Sequence, residues 1–464
     1  MVFSSLEFLF WFLPFCLLTY AVAKKHVKNL VLLFFSVAFY AYGVQETPAY
    51  LLLITGSVAL NYLFGCLIAD CPRAKKLWLS LGLLWDFGCL FLFKYADFFI
   101  RTTNQIGHTA FASLRLVLPL GISFFTFQIS SYLLDVYRGT MKPERSIVSL
   151  ATYILLFPQL IAGPIVRFSD VKRELHIRSV QFQDFLDGSE LFVIGLAKKV
   201  LLANQLSGLW RDLDAVGYES ISTPAAWMGI VAYSLQIYFD FSGYSQMAIG
   251  LGRMFGFHFP TNFRHPYISC SMTEFWRRWH ITLGAWFREY VYIPLGGNRK
   301  GKARTYLNLL VVWVMTGFWH GADWNFLLWG LLLYILLVIE KAGLGKFLEQ
   351  HRLYGHLYMM LWIPLSWLVF AVSDLQQIGV YFLKLFGLGG DTLFAADYLS
   401  YLRTYWAFIA VGCLFSTRIP DVLYRKLKKT RASVLRYGLL ICALSLSVYC
   451  MYQGMNDPFL YFRF

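Results

Sequence analysis

Two histidines stand where an imidazole could do chemistry. His320, within GFWHGADWNFLLWG, closes the apolar stretch Tyr306–Trp319, sits beside Gly317 and Gly321, and is followed by Asp323. Ionisable groups at membrane depth are expensive and mark functional sites by default. The flanking glycines remove side-chain bulk, so a substrate or another helix can come close to the ring. A structural role, with the ring reaching an interface or a backbone carbonyl, stays open.

His280 lies in a segment dense in charge and aromatics. Ser271-x-x-Glu274 has the form of a capping box, in which the Ser side chain and the Glu carboxylate satisfy each other's free amides. A helix is therefore predicted from there to Tyr292, stopping at Pro294. On it Trp276 and His280 stand four apart and Arg277 three before His280, which gathers indole, guanidinium and imidazole on one face. Amid two arginines the protonated ring is disfavoured, which suits a neutral, hydrogen-bonding imidazole. Arg278, Arg288 and Trp286 read instead as interface anchors.

An imidazole near its ordinary pKa is a good general base for a hydroxyl attacking an activated acyl group. A Ser-His-Asp hydrolase would need a placed serine, and no G-x-S-x-G is present. No H-E-x-x-H, carboxylate pair or Cys/His set offers a metal site, and no Walker or G-x-G-x-x-G loop offers a nucleotide site. Acyl transfer without a nucleophilic serine fits best. The rival is a proton-coupled transporter, since His and Asp in spans also form proton relays. Against it stand the lack of internal repeats and the gathering of polar residues into two non-spanning stretches.

The elements that must position these residues follow from composition. Of 464 residues 58% are hydrophobic and only 14% charged, against about 25% charged in a soluble domain. That excludes a soluble enzyme, a disordered chain and a disulfide-stapled module. An all-α, polytopic membrane protein of about 11–13 helices is expected, as one domain over residues 1–464. The net charge of +15 needs no nucleic acid, because basic residues between apolar runs are accounted for by retention on the cytoplasmic side. The eight cysteines are scattered and mostly apolar in setting.

Spans are expected at Leu6–Ala23 (a retained helix and not a signal peptide), Asn29–Tyr42, Ala49–Ala69, Leu77–Phe93, Ser146–Leu160, Glu190–Leu206 and Trp227–Leu251. Further ones are expected at Tyr306–Trp319, Trp324–Ile339, Tyr358–Val372, Tyr405–Phe415 and Leu439–Tyr452. Leu118–Gly139 and Phe263–Gly297 fit neither a clean span nor a loop. They read as re-entrant or tilted interfacial helices around an internal chamber, where charged backbone can survive at membrane depth.

Five motifs resemble those of the membrane-bound O-acyltransferases, and more closely the bacterial alginate O-acetylation branch. They are MVFSS, LPLGISFFTFQISSYLLDVYRG, FPQLIAGPIVR, YFDFSGYSQMAIGLG and NFRHPYISCSMTEFWRRWHITLGAWFREYVYIPLGGNR; WHGADWNFLLWG and the terminal FLYFRF extend the match. Gln246 stands where an acidic residue is usual, Gly284 where Ser is common and Glu289 where Asp is common. The resemblance implies an enzyme with a cytoplasm-open funnel that takes acetyl from cytoplasmic acetyl-CoA and binds no cofactor. It implies delivery across a bacterial inner membrane to an extracytoplasmic acceptor protein, SGNH-hydrolase-like, and so to a polysaccharide: alginate first, with peptidoglycan or cellulose as other acceptors. D-alanyl transfer to teichoic acids is a related alternative. It also implies that His320 is the catalytic histidine and His280 the polar residue facing it, with Trp276, Arg277, Trp319 and Asp323 lining the chamber.

The basic clusters Lys24–Lys28, Arg73–Lys76 and Arg425–Arg436 should all label from the cytoplasmic side, with Gly43–Pro48 and Phe464 outside. A single-cysteine accessibility scan on a cysteine-free background checks this, and cytoplasmic labelling beside Phe464 would break the parity.

Overall fold

A computed structural model describes residues 2–388, 396–429 and 433–454. Arg431 and the terminal motif through Phe464 lie outside them. The described residues form helices and connecting turns, with no strand among them. Among the described residues, six helices are long and apolar enough to cross a membrane. The bent pair Tyr398–Phe415 and Ile419–Lys428, angled by 67°, would make a seventh. Multi-pass membrane insertion follows.

The chain groups into two compact units. One comprises Met1–Phe192, Ser245–Thr261 and Ala285–Tyr290; the other comprises Val193–Tyr244, Asn262–Gly284 and Val291–Phe464. The first is built on the helices Lys28–Gly43, Ala49–Asp70, Lys75–Leu90 and Ile122–Arg138. Lys75–Leu90 continues through a wide turn at Phe91–Tyr95 into Ala96–Gly107. The Leu118–Gly139 stretch is one unbroken helix, Ile122–Arg138, with 13 of its 17 residues buried. Its glycines delimit it rather than interrupt it. Gly121 and Gly139 both take φ of 73°, and a Cβ on Gly121 would lie 2.3 Å from the Leu160 carbonyl oxygen. Gln128 and Ser130 are buried within it, which makes it a core helix.

Leu6–Ala23 forms the helix Phe8–Val22, too short to be among the helices that can cross, and two further expectations fail in this unit. Ser146–Leu160 does not form a span, because the helix Ile147–Leu155 ends where Leu156 turns to ψ 107° ahead of Pro158. Nine residues rise only about 14 Å, half of a bilayer core of about 30 Å. Trp286 is not an interface anchor. Its ring stacks on Phe127 at 3.8 Å and 9°, and its Nε1–H donates to the Phe127 carbonyl at 2.9 Å, so packing holds it inside.

The second unit carries both histidines. The expected spans Glu190–Leu206 and Trp227–Leu251, whose residues are divided between the units, fall within longer helical stretches, Phe182–Ala197 with its continuations and Thr223–Met254. Neither is among the helices apolar enough to cross. The reason is internal polarity: Lys199 Nζ lies 2.7 Å from the Asp240 carboxylate, with both side chains buried. Helices that satisfy each other's charges in the interior need no apolar surface all round.

The expected Tyr306–Trp319 span lies in the longer helix Gly301–His320, which is not among the helices apolar enough to cross, whereas Trp324–Ile339 ends where the sequence places it. These two helices form a hairpin packed backbone against backbone. A Cβ on Gly317 would meet the Phe326 carbonyl oxygen at 2.3 Å, and one on Gly330 the Trp313 carbonyl oxygen at 2.5 Å. A Cβ on Gly321 would meet the Phe326 ring at 2.0 Å. The glycines beside His320 therefore admit a second helix, not a substrate. Gly330→Ala should lower stability by about 1–3 kcal/mol through overpacking. A melting curve of the solubilised protein checks it, and an unchanged midpoint would count against the close contact.

Candidate active site

The His280 segment departs from the continuous helix that its capping signal predicts. Ser271 Oγ does accept the Glu274 N–H at 3.1 Å. The Glu274 carboxylate, however, accepts from Cys270 N at 2.9 Å and pairs with Arg278 at 2.7 Å, which removes Arg278 from the role of free anchor. The helix runs only from Met272 to Trp276, and a new one starts at Ile281. Between them Ile281 N donates to the Asn262 carbonyl at 3.0 Å and Arg264 N to the Arg278 carbonyl at 2.9 Å. These long-range bonds replace the helical ladder and force His280 to φ 43°, a left-handed setting that disfavours any residue with a Cβ. The expected shared face of Trp276 and His280 is therefore not formed, since one belongs to a helix and the other to its break.

Glu340 is the residue that the sequence reading misses. It is buried at the end of the Trp324–Ile339 helix. Its carboxylate accepts from Met272 N at 2.5 Å, Thr273 N at 2.9 Å and Thr273 Oγ1 at 2.7 Å. An anion on the free amides of a helix start is favourable. The bonds tie the Trp276-bearing turn to the hairpin. The available signal is an acidic residue directly after a long apolar run, in a chain poor in charge.

Aromatic rings pack against both histidines. His320, at the last position of its helix, is buried and meets Trp319, Trp329 and Phe370 edge to face at 4.9, 5.1 and 5.3 Å. His280 is buried against Phe241 at 4.7 Å and Trp319 at 6.1 Å. Trp319 thus touches both imidazoles. Trp276 joins the same box through Trp329 at 5.6 Å and Trp313 at 4.9 Å. The structure therefore gathers His280, His320, Trp319 and Trp276, whereas Arg277 and Asp323 occupy exposed positions. Burial, and not the neighbouring arginines, pulls the His280 pKa down to about 3, so its ring is neutral at any ordinary pH.

Polar atoms in this box are buried without a protein partner among the described residues, including the indole Nε1–H groups of Trp276 and Trp329 and Nε2 of His280. Buried unpaired groups are costly, and this set offers donors and an acceptor to a polar ligand.

The comparisons bear on that ligand. The profile described as MBOAT, the membrane-bound O-acyltransferase family, matches residues 141–344. A Pseudomonas aeruginosa protein named "Probable alginate O-acetylase AlgI" is 40% identical over 397 residues, covering 84% of this chain and 75% of its own length. The chain belongs to the membrane-bound O-acyltransferase family. A Helicobacter pylori relative named "Peptidoglycan O-acetyltransferase" is 37% identical over 431 residues, covering 85% of this chain and 81% of its own length. A Streptococcus thermophilus "Teichoic acid D-alanyltransferase" is 30% identical over 250 residues, covering 49% of this chain and 58% of its own length. This membrane-bound O-acyltransferase is thus an enzyme, which sets aside the transporter alternative.

Removing the Glu340 acceptor should loosen the box. Glu340→Ala leaves one buried and one half-buried backbone donor unpaired, at about 1–3 kcal/mol for the buried one, whereas Glu340→Gln keeps one acceptor oxygen. Thermal melting of the two variants should rank Ala below Gln below wild type. Equal midpoints would remove Glu340 from the scaffold of the site.

Proposed function

We propose that this acyltransferase takes acetyl from cytoplasmic acetyl-CoA and passes it across the bacterial inner membrane to an extracytoplasmic acceptor protein, which acetylates a polysaccharide. Alginate is the first choice and peptidoglycan the second, in line with the names of the relatives. The observation that carries the reading is Trp319, whose ring meets both His320 and His280 in a box of aromatic side chains.

In this reading His320 is the general base. It takes the proton of the acceptor hydroxyl as that oxygen attacks the thioester carbonyl carbon. The C–S bond then breaks, and the CoA thiolate recovers the proton from the imidazolium to leave as a thiol. The N–H groups of Trp276 and Trp329 suit the thioester oxygen, where fixed donors in a dry site stabilise developing negative charge. A hydrated polymer would bring many hydroxyl groups into an apolar box at about 1–3 kcal/mol for each one left unpaired. One side chain of an acceptor protein avoids most of that cost.

Reconstitution in liposomes, with labelled acetyl-CoA on the cytoplasmic side, tests the reading. Wild type with its acceptor protein should acetylate external polymer. His320→Ala, melting as wild type does, should be slower by about 10²–10⁴-fold. Residual activity above about a tenth would remove His320 as the base, and efficient polymer acetylation without a second protein would refute the relay.

A further inference from the structure

Asn262 holds His280 by more than proximity. Its side-chain Oδ1 accepts the Thr282 backbone N–H at 3.3 Å and the Thr282 hydroxyl at 2.9 Å, and it lies 3.1 Å from His280 Nδ1. Its backbone carbonyl accepts the Ile281 N–H at 3.0 Å. The residue is buried, so these bonds are shielded from water. A backbone N–H can only donate. The Asn262 atom that meets the Thr282 N–H is therefore the carbonyl oxygen, and the amide cannot be flipped without facing one donor with another.

That oxygen dictates the state of the imidazole. Nδ1, facing an acceptor, must carry the ring proton, and a neutral imidazole has only one. Nε2 is then a bare lone pair, and it is the ring nitrogen that is buried with no protein partner among the described residues. The left-handed backbone of His280 is maintained by the same residue through the Ile281 bond. Two separate contacts of Asn262 thus set the direction and the tautomer of one ring.

We propose that Asn262 is a positioning residue for acyl transfer: it fixes His280 as the Nδ1–H tautomer, so that Nε2 accepts a hydrogen bond from a donor group of the bound acyl-CoA, leaving the hydroxyl proton of the acyl acceptor to His320. The same assignment excludes His280 as a donor to the thioester oxygen. This rests on the acyl-transfer reading for the identity of the donor that Nε2 meets, but the tautomer itself does not. The side chains meeting His280 include Phe241, Trp319, Asn262 and, through the shared oxygen, Thr282, and His320 meets the same Trp319 ring. Phe241, Trp319, Asn262 and Thr282 carry no charge, so a carboxylate placed at 262 would add a negative charge in contact with the ring.

Nitrogen-15 spectra of the full-length protein labelled at histidine, with His280 assigned by its loss in His280→Gln, read the tautomer without reference to activity. Wild type should show a protonated Nδ1 and an unprotonated Nε2 from about pH 5 to about pH 8, with no titration near the ordinary histidine value. Asn262→Ala should lose that single state and transfer acetyl at least about ten-fold more slowly, as expected when an orienting contact is removed. Asn262→Asp keeps the acceptor oxygen but adds a negative charge that favours the imidazolium. It should recover most activity at high pH and lose it as pH falls through the raised His280 pKa, because a protonated Nε2 can no longer accept. A protonated Nε2 in wild type, or an Asn262→Asp variant with the wild-type pH profile, would overturn the proposal. If the spectra bear out the tautomer while wild type transfers no acetyl from acetyl-CoA, the donor assignment fails and the role of Asn262 as tautomer lock stands.

Discussion

The Phe326 carbonyl oxygen occupies the space that a side chain on Gly317 would need, and much of the candidate site depends on that contact. Two helices that touch through their backbones cannot slide without separating, because close-packed interfaces have few alternative arrangements. With the hairpin fixed, Trp329 on one helix and His320 on the other meet at 5.1 Å. Trp319 is then carried into contact with both imidazoles. The apolar runs create the helices, but three positions without side chains set the distance between them.

Around this hairpin, buried polar groups act at long range. Glu340 reaches back 68 residues to the Met272 N–H, and Asn262 reaches forward 18 residues to His280. Both hold short, irregular backbone that could not persist in hydrocarbon without partners. The Lys199–Asp240 pair does the same between two interior helices. The irregular parts of the fold are thus the ones with the most specific hydrogen bonding, and they are where the chemistry is placed.

Much of this was legible in the sequence where the signal is local. Trp324–Ile339 and Ala49–Ala69 were readable from unbroken hydropathy, and His320 from its position at the end of such a run. Trp276 and Trp319 were readable as neighbours of the histidines. The break at Arg277–His280 was not, because its cause is Asn262, which competes with a capping signal that taken alone predicts a continuous helix. Ser146–Leu160 misled because composition ignores the turn before Pro158. Trp286 misled because an indole at an interface and one stacked in a core have the same composition signature. Glu340 was hidden for the opposite reason: one carboxylate after an apolar stretch looks like the end of a span, and its partners are far away in the chain.

The hairpin also bears on how such an enzyme could come to handle larger acyl groups. The side formed by Gly317, Gly321 and Gly330 is already filled by backbone and by the Phe326 ring, so no truncation there can yield space. Room could come from the rings of the box, for example Phe370 beside His320 or Phe241 beside His280. Chain-length preference in this scaffold would then be altered at the aromatic side chains, with these two residues adjusting the space next to different histidines.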